Sequence, residues 1–153
     1  MVVFHEVDGH NVRAVCELRV ALEQEGLVSP AAYTLAEAQF EPGAWLRAIY
    51  DGDRPVGLVA MIDPRAPSDD TEIRRDAAFL WRLMVAEGDQ GKGFGSAALS
   101  IAAWTARDWG FSRITLTVSP EAGSAQPFYR RHGFELTGRV LFDGTELEML
   151  LEL

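Results

Sequence analysis

The chain has 153 residues, 48% of them apolar and 24% charged, with a formal net charge of −9. That length suits one domain able to bury a proper core, and the acidic balance argues against a nucleic-acid partner, which needs a basic footprint. No apolar run approaches the roughly 18 residues of a bilayer span and no basic-then-apolar leader opens the chain, so neither membrane insertion nor export is expected. A single cysteine, Cys16, allows no internal disulfide and suits a reducing cytoplasm. The histidines His5, His10 and His132 are scattered and no Cys/His cluster exists, so no metal site is expected. The charge is uneven: residues 1–76 hold 14 acidic against 7 basic groups, residues 77–153 hold 9 against 7. An anionic ligand on the second half and a cationic one near the first fit that distribution.

In chain order, Val2 to Val7 reads as a strand closed by Asp8-Gly9. Val12, Val15, Leu18 and Leu22 form one apolar stripe, predicting a helix over Asn11 to Leu22 that Gly26 ends, with Cys16 as a buried structural thiol inside it. Ser29-Pro30 caps a second helix through Tyr33, Leu35 and Ala38. Ala44 to Tyr50 and Val56 to Ile62 are strands joined by the hairpin turn Asp51-Gly52-Asp53, and Asp63 to Glu72 is a polar loop. Ala77 to Val85 is a buried strand and Ser96 to Trp109 a long helix stopped by Gly110. Arg113 to Val118 is a strand, Ser119 to Gly123 a loop, and Ala125 to His132 a short helix ended by Gly133. Phe134 to Val140 and Glu146 to Leu153 pair across Asp143-Gly144. The whole is one α+β domain spanning 1–153.

Between the strand and the long helix stands Gln90-Gly91-Lys92-Gly93-Phe94-Gly95. A strand, a glycine turn and a helix start aim unpaired backbone N–H groups at an anion, with the helix dipole adding partial positive charge. Glycine lets the backbone approach a ligand closely. The spacing is not a P-loop, since no Gly-Lys-Ser/Thr follows, and it sits too late in the chain for a dinucleotide fingerprint.

The pattern Q-x-x-G-x-G after an apolar strand resembles the pyrophosphate-binding turn of the GNAT N-acetyltransferases. Phe128-Tyr129-Arg130-Arg131-His132-Gly133-Phe134 resembles the F-Y-x-x-x-G-F segment of the same family, and the order of elements matches its fold. Ala21 to Val28, Trp81 to Val85 and Asp143-Gly144 with its Leu-rich strand resemble the bacterial spermine/spermidine (diamine) acetyltransferase branch. The resemblance implies a mixed, mostly antiparallel sheet flanked by helices, with acetyl-CoA in the splay between two central strands. It also implies transfer of the acetyl group to a primary amine of a small cationic acceptor, polyamines first. Alternatives are another amine (aminoglycoside, amino acid or protein amine) or a non-catalytic acyl-CoA sensor, and a homodimer is compatible with the fold.

Carried onto this chain, the resemblance gives Leu83, Met84 and Val85 to the pantetheine arm as if it were an added strand, the Val85 N–H also polarising the thioester carbonyl. Gly91, Lys92, Gly93, Phe94, Gly95 and Ser96 wrap the pyrophosphate, and Gln90 orients the turn. Tyr129 is the proton donor to the departing thiolate, and Arg130 or Arg131 meets the adenosine 3′-phosphate. An asparagine common in relatives is replaced here by Ala122, with Ser124 as substitute cap and polar contact. For the acceptor, Glu25 is the candidate among Glu23, Glu25, Glu37, Glu41, Asp69, Asp70 and Glu72, and Trp81 with Trp45 and Tyr50 offers an aromatic wall for a cation. The glutamate that serves mammalian diamine enzymes is replaced by Trp81, so no general base can be assigned.

Overall fold

A computed structural model describes residues 1–68, 70–121 and 123–153. Its sheet has seven strands in the order β1-β2-β3-β4-β5-β7-β6. They are β1 (Val2–His5), β2 (Ala44–Asp51), β3 (Arg54–Ile62), β4 (Ala78–Val85), β5 (Arg113–Val118), β6 (Glu135–Leu141) and β7 (Glu146–Glu152). Only β4 and β5 run parallel; every other neighbouring pair is antiparallel. Helices α1 (Val12–Cys16) and α2 (Ala31–Ala38) cover one face, α3 (Phe94–Asp108) and α4 (Gln126–Arg131) the other.

Apolar alternation along the strands fills both faces. Ile49, Val59, Met61, Leu80, Ile114 and Leu116 pack with Phe94, Ala98 and Ala102 of α3 and with Tyr129 of α4. Ala48, Tyr50, Leu58 and Met84 pack with Val15 of α1 and Ala31 of α2. The alternation changes phase inside β4. Ala60 pairs with Arg82 but Met61 with Leu80, so Trp81 is the extra residue of a β-bulge. Before the bulge Ala78 and Leu80 face α3; after it Leu83 and Val85 do, and Met84 turns to α1 and α2. Trp81 joins Phe79, Ile62, Ile73 and Phe142 in a third cluster.

The helix predicted over Asn11–Leu22 ends at Cys16. The Arg19 guanidinium donates to the carbonyls of Cys16 (2.9 Å) and Leu18 (3.0 Å), and the Arg19 carbonyl accepts from the Glu87 N–H (2.9 Å). The backbone here is tied to the turn after β4 and has no helical continuation. Leu22–Gln24 forms a separate 3-10 turn in which the Gln24 side chain accepts from the Ala21 N–H (3.2 Å), and Gly26 lies beyond that turn, not at a helix end. Cys16 is accordingly only partly buried.

In β6, three residues (Thr137, Gly138 and Arg139) oppose the single Glu148 of β7. Glu148 is 1% exposed, and its oxygens accept from Thr137 Oγ1 (2.8 Å), Arg74 Nε (3.1 Å) and Arg139 Nη1 (2.7 Å). Arg139 also donates to the Glu72 carbonyl (2.8 Å), and the Glu72 carboxylate accepts the Phe142 N–H (2.8 Å). Buried charge is tolerable only with such partners. Together these bonds strap the segment between β3 and β4 onto the β6–β7 hairpin. Glu148→Ala is expected to cost about 1–3 kcal/mol, the usual scale for hydrogen bonds to charged groups, measured by denaturant unfolding against wild type.

Candidate active site

The parallel pairing of β4 with β5 covers only Ala78–Ile114 and Phe79–Thr115. Past those residues the strands diverge, and a cleft of about 790 Å³ opens between Leu80–Val85 on one side and Leu116–Val118 on the other. Ligand pockets commonly have this size and sit where a sheet opens. The β5-facing edge of β4 has no strand beside it here, so an extended ligand can lie along Leu83, Met84 and Val85 as an added strand. Trp81 lines the same cleft from the bulge.

At one end stands the glycine turn. The N–H groups of Gly91, Lys92, Gly93, Phe94, Gly95 and Ser96 have no protein acceptor among the described residues; the Ala97 N–H, bonded to the Gly93 carbonyl (3.0 Å), is the first that does. Six consecutive free donors at the start of a 15-residue helix form a strong anion site. The three glycines serve different ends. Gly91 (φ +75°) and Gly93 (φ +91°) adopt left-handed backbone, which side chains disfavour, although a Cβ at either would meet nothing within 4 Å. A Cβ at Gly95 would stand 3.0 Å from Cζ of Phe128, so this glycine lets α3 and α4 approach.

Two contacts hold the turn. Arg54 grips Asp89 through two parallel bonds of 2.9 Å, a bidentate pair. The Gln90 amide donates to the Val85 carbonyl (3.0 Å) and to Gln24 Oε1 (2.7 Å), while Gln24 returns a bond to Gln90 Oε1 (3.3 Å). Gln90 thus orients the turn, and Gln24, which the sequence did not single out, is its partner 66 residues away. Lys92 is exposed, does not line the cleft, and its Nζ is 3.6 Å from Asp89.

Tyr129 closes the other wall. It is 8% exposed, lies edge-on to Phe128 and Phe134, and lines the cleft; its hydroxyl bonds no protein group among the described residues. Burial pushes its phenol above the ordinary tyrosine range, so it stays protonated and able to donate. Nearby, His132 Nδ1 lies 2.9 Å from the Phe128 carbonyl, which can only accept, so in the neutral imidazole Nε2 accepts the Ser96 hydroxyl proton (2.9 Å). Ser124 lines the cleft and accepts a 3.4 Å bond from the Gln126 N–H, at the start of α4. Of the two arginines, Arg131 reaches the cleft and Arg130 does not. Ala122 and Asp69 lie outside the described residues.

The acceptor residues predicted from sequence are dispersed. Glu25 is exposed and does not line the cleft, although Gln24 and Leu27 on either side of it do. Tyr50 and Trp45 serve core packing. In their place the cleft presents Arg82 and Glu146. Arg82 lies over the Trp81 ring (4.9 Å) and donates to the Trp81 carbonyl (3.0 Å), with Glu37 3.7 Å away. A cation in the middle of the apolar run F-L-W-R-L-M-V was the available sequence signal for it. Nothing local in the sequence marks Glu146, because only the pairing of β7 with β5 brings it here. Among the described residues no His/Cys/Asp/Glu group is placed to hold a metal, and no helix is long and apolar enough to cross a membrane.

A splayed parallel strand pair, a glycine turn with six free donors and a buried tyrosine meet around one cleft. Residues 12–134 match the Acetyltransferase (GNAT) family, and the chain belongs to that family of N-acetyltransferases. No curated protein sequence matches it. Among solved structures, it is similar to a protein from Desulfovibrio desulfuricans assigned to the GNAT family, at 21% identity and a TM-score of 0.74, covering 99% of both chains. It is similar to the PaiA N-acetyltransferase from Thermoplasma acidophilum in complex with coenzyme A, at 15% identity and a TM-score of 0.73, covering 100% of this chain and 99% of that one. A third similar structure is the ribosomal-protein-S18-alanine N-acetyltransferase from Escherichia coli, at 15% identity and a TM-score of 0.68, covering 99% and 94%. At these identities the structural likeness concerns the fold.

Arg54 holds the Asp89 carboxyl below the usual carboxylate range. Its contribution to stability is therefore complete above the unfolded-state value and disappears as pH falls through the lower folded-state value. Asp89→Asn should lower the melting temperature at neutral pH, and the gap from wild type should close in acid, as thermal melts over a pH series would read.

Proposed function

We propose that the protein transfers the acetyl group of acetyl-CoA to a primary amine of a small acceptor by direct attack, with Tyr129 as general acid. The observation that carries this reading is the run of six free N–H groups in a turn that, Lys92 apart, lines the same cleft as Tyr129. Those donors fit a pyrophosphate, and the unpaired edge at Leu83–Val85 fits the pantetheine arm. Ser96, Ser124 and Arg131 stand where further polar groups of the donor can be met. The Val85 N–H is the group assigned to polarise the thioester carbonyl. Cytoplasmic residence accords with the lone cysteine.

An alkyl amine is mostly ionised at pH 7, and deprotonating it costs about 4.6 kcal/mol. Alignment of two bound reactants supplies about 7–11 kcal/mol, so positioning outweighs that cost. Tyr129 then gives its proton to the leaving thiolate. The likeness to the diamine branch and the net charge of −9 speak for spermidine or spermine as one acceptor class. Arg82 in the cleft wall is the observation on the side of another amine.

Equilibrium binding of acetyl-CoA and a thiol-release assay over a panel of amines test the reading. Tyr129→Phe should lower kcat about tenfold or more while acetyl-CoA still binds. Failure of the wild type to bind acetyl-CoA would overturn the proposal.

A further inference from the structure

The cleft passes through the sheet, and its two mouths differ. On the α3/α4 side lie the glycine turn and Tyr129. On the α1/α2 side, the bulge at Trp81 turns Arg82 to the face that carries Met84 and Glu37. Strand alternation puts Glu146 on the face of Glu148, whose opposite residue Thr117 also lines the cleft. Arg82 and Glu146 thus share one mouth. They are not an ion pair, for no nitrogen of Arg82 lies within 4.0 Å of a Glu146 oxygen, yet each feels the charge of the other. Arg82 is also under-used. Its Nε is buried without a partner, Nη1 donates only to the Trp81 carbonyl, and Glu37 stands beyond hydrogen-bond range at 3.7 Å. A half-buried guanidinium whose Nη groups keep donors to spare can receive a planar anion.

Resting on acetyl transfer in this cleft, we propose that Glu146 takes the proton of the acceptor ammonium and Arg82 binds a carboxylate of the same molecule, so that the acceptor is an amino-acid-like amine and not a polycation. A polyamine would have to set a positive charge against Arg82, whereas an amine with a carboxylate satisfies both groups at once. Of the three protons on the ammonium nitrogen, one passes to Glu146 and on to solvent. The lone pair so freed forms the N–C bond as the C–S bond breaks. A second proton replaces the one Tyr129 gives to sulfur, and the third stays on the amide.

Burial raises the Glu146 carboxyl above the ordinary range while Arg82 opposes the rise, which moves its basicity towards that of the amine. Arg82, with Glu37 beside it, is the charged group facing Glu146.

The test is thiol release from acetyl-CoA with amino acids, the matching amino-acid amides and spermidine. Wild type should favour at least one amino acid over its amide and over spermidine, each by about tenfold or more in kcat/KM. Glu146→Gln should lower kcat about 10²-fold or more, remove the acid limb of the kcat/KM pH profile, and leave acetyl-CoA affinity within about twofold. Arg82→Gln should raise KM for the amino acid and leave the amide unaffected; if it does not fold, the comparison of acid with amide in wild type decides alone. Preference for spermidine, or equal use of acid and amide, overturns the carboxylate assignment. Unchanged kcat in Glu146→Gln overturns the base. Acetyl-CoA binding without turnover of any amino acid overturns this proposal alone, and absence of acetyl-CoA binding overturns the donor assignment with it.

Discussion

A parallel strand pair that holds together for only two residue pairs is the constraint on which the rest depends. Ala78–Ile114 and Phe79–Thr115 anchor β4 to β5, and everything beyond is divergence. An ordinary sheet would fill that space with ladder hydrogen bonds and leave no room for a ligand. Here the β5-facing edge of β4 borders an open cleft, where an extended polar ligand could pair with it. The helix entering after β4 and the tyrosine of α4 stand on the α3/α4 side of the gap.

Because the gap costs sheet pairing, other contacts must hold its rims. Arg54–Asp89 fixes the turn to the start of β3, and the paired amides of Gln24 and Gln90 fix it to the segment before α2. On the far rim, Glu148 gathers Arg74, Arg139 and Thr137 and keeps the β6–β7 hairpin against the long loop. Phe142 shows how firm that hold is. It keeps left-handed backbone (φ +55°), rare for a bulky residue, while packed against Ile62, Ile73 and Phe79. Glu146 follows four residues later, on a strand start that these contacts immobilise.

The order of elements and the grouping of the glycine turn with Tyr129 around one cleft were legible from sequence because both motifs are written locally. Strand, glycine turn and helix entry are contiguous from Phe79 to Trp109, and Tyr129 comes within a motif of its own. The outward turn of Glu25 and the meeting of Arg82 with Glu146 were not legible, for three physical reasons. A helical stripe at Val12, Val15, Leu18 and Leu22 ignores that the Arg19 guanidinium takes the Cys16 carbonyl and the helix stops there, so the face on which Glu25 falls cannot be counted from the stripe. Period-two alternation cannot show a bulge, so Arg82 falls on a face that counting assigns to its neighbours. Glu146 faces Arg82 only through the return of β7 beside β5, a pairing with no sequence mark at Glu146.

The glycines of the turn imply two kinds of evolutionary freedom. The bar to a side chain at Gly95 is a neighbour, the Phe128 ring, and a neighbour can change. A smaller residue at 128 would open the way for alanine at 95, so the two positions are coupled and can drift as a pair. At Gly91 and Gly93 the bar is the backbone itself, with empty space where the Cβ would go. No substitution elsewhere can add or remove a clash that does not exist, so these two positions have no second-site suppressor through packing. One half of the phosphate-type turn is thus negotiable within the fold, and the other is set by the stereochemistry of the peptide chain.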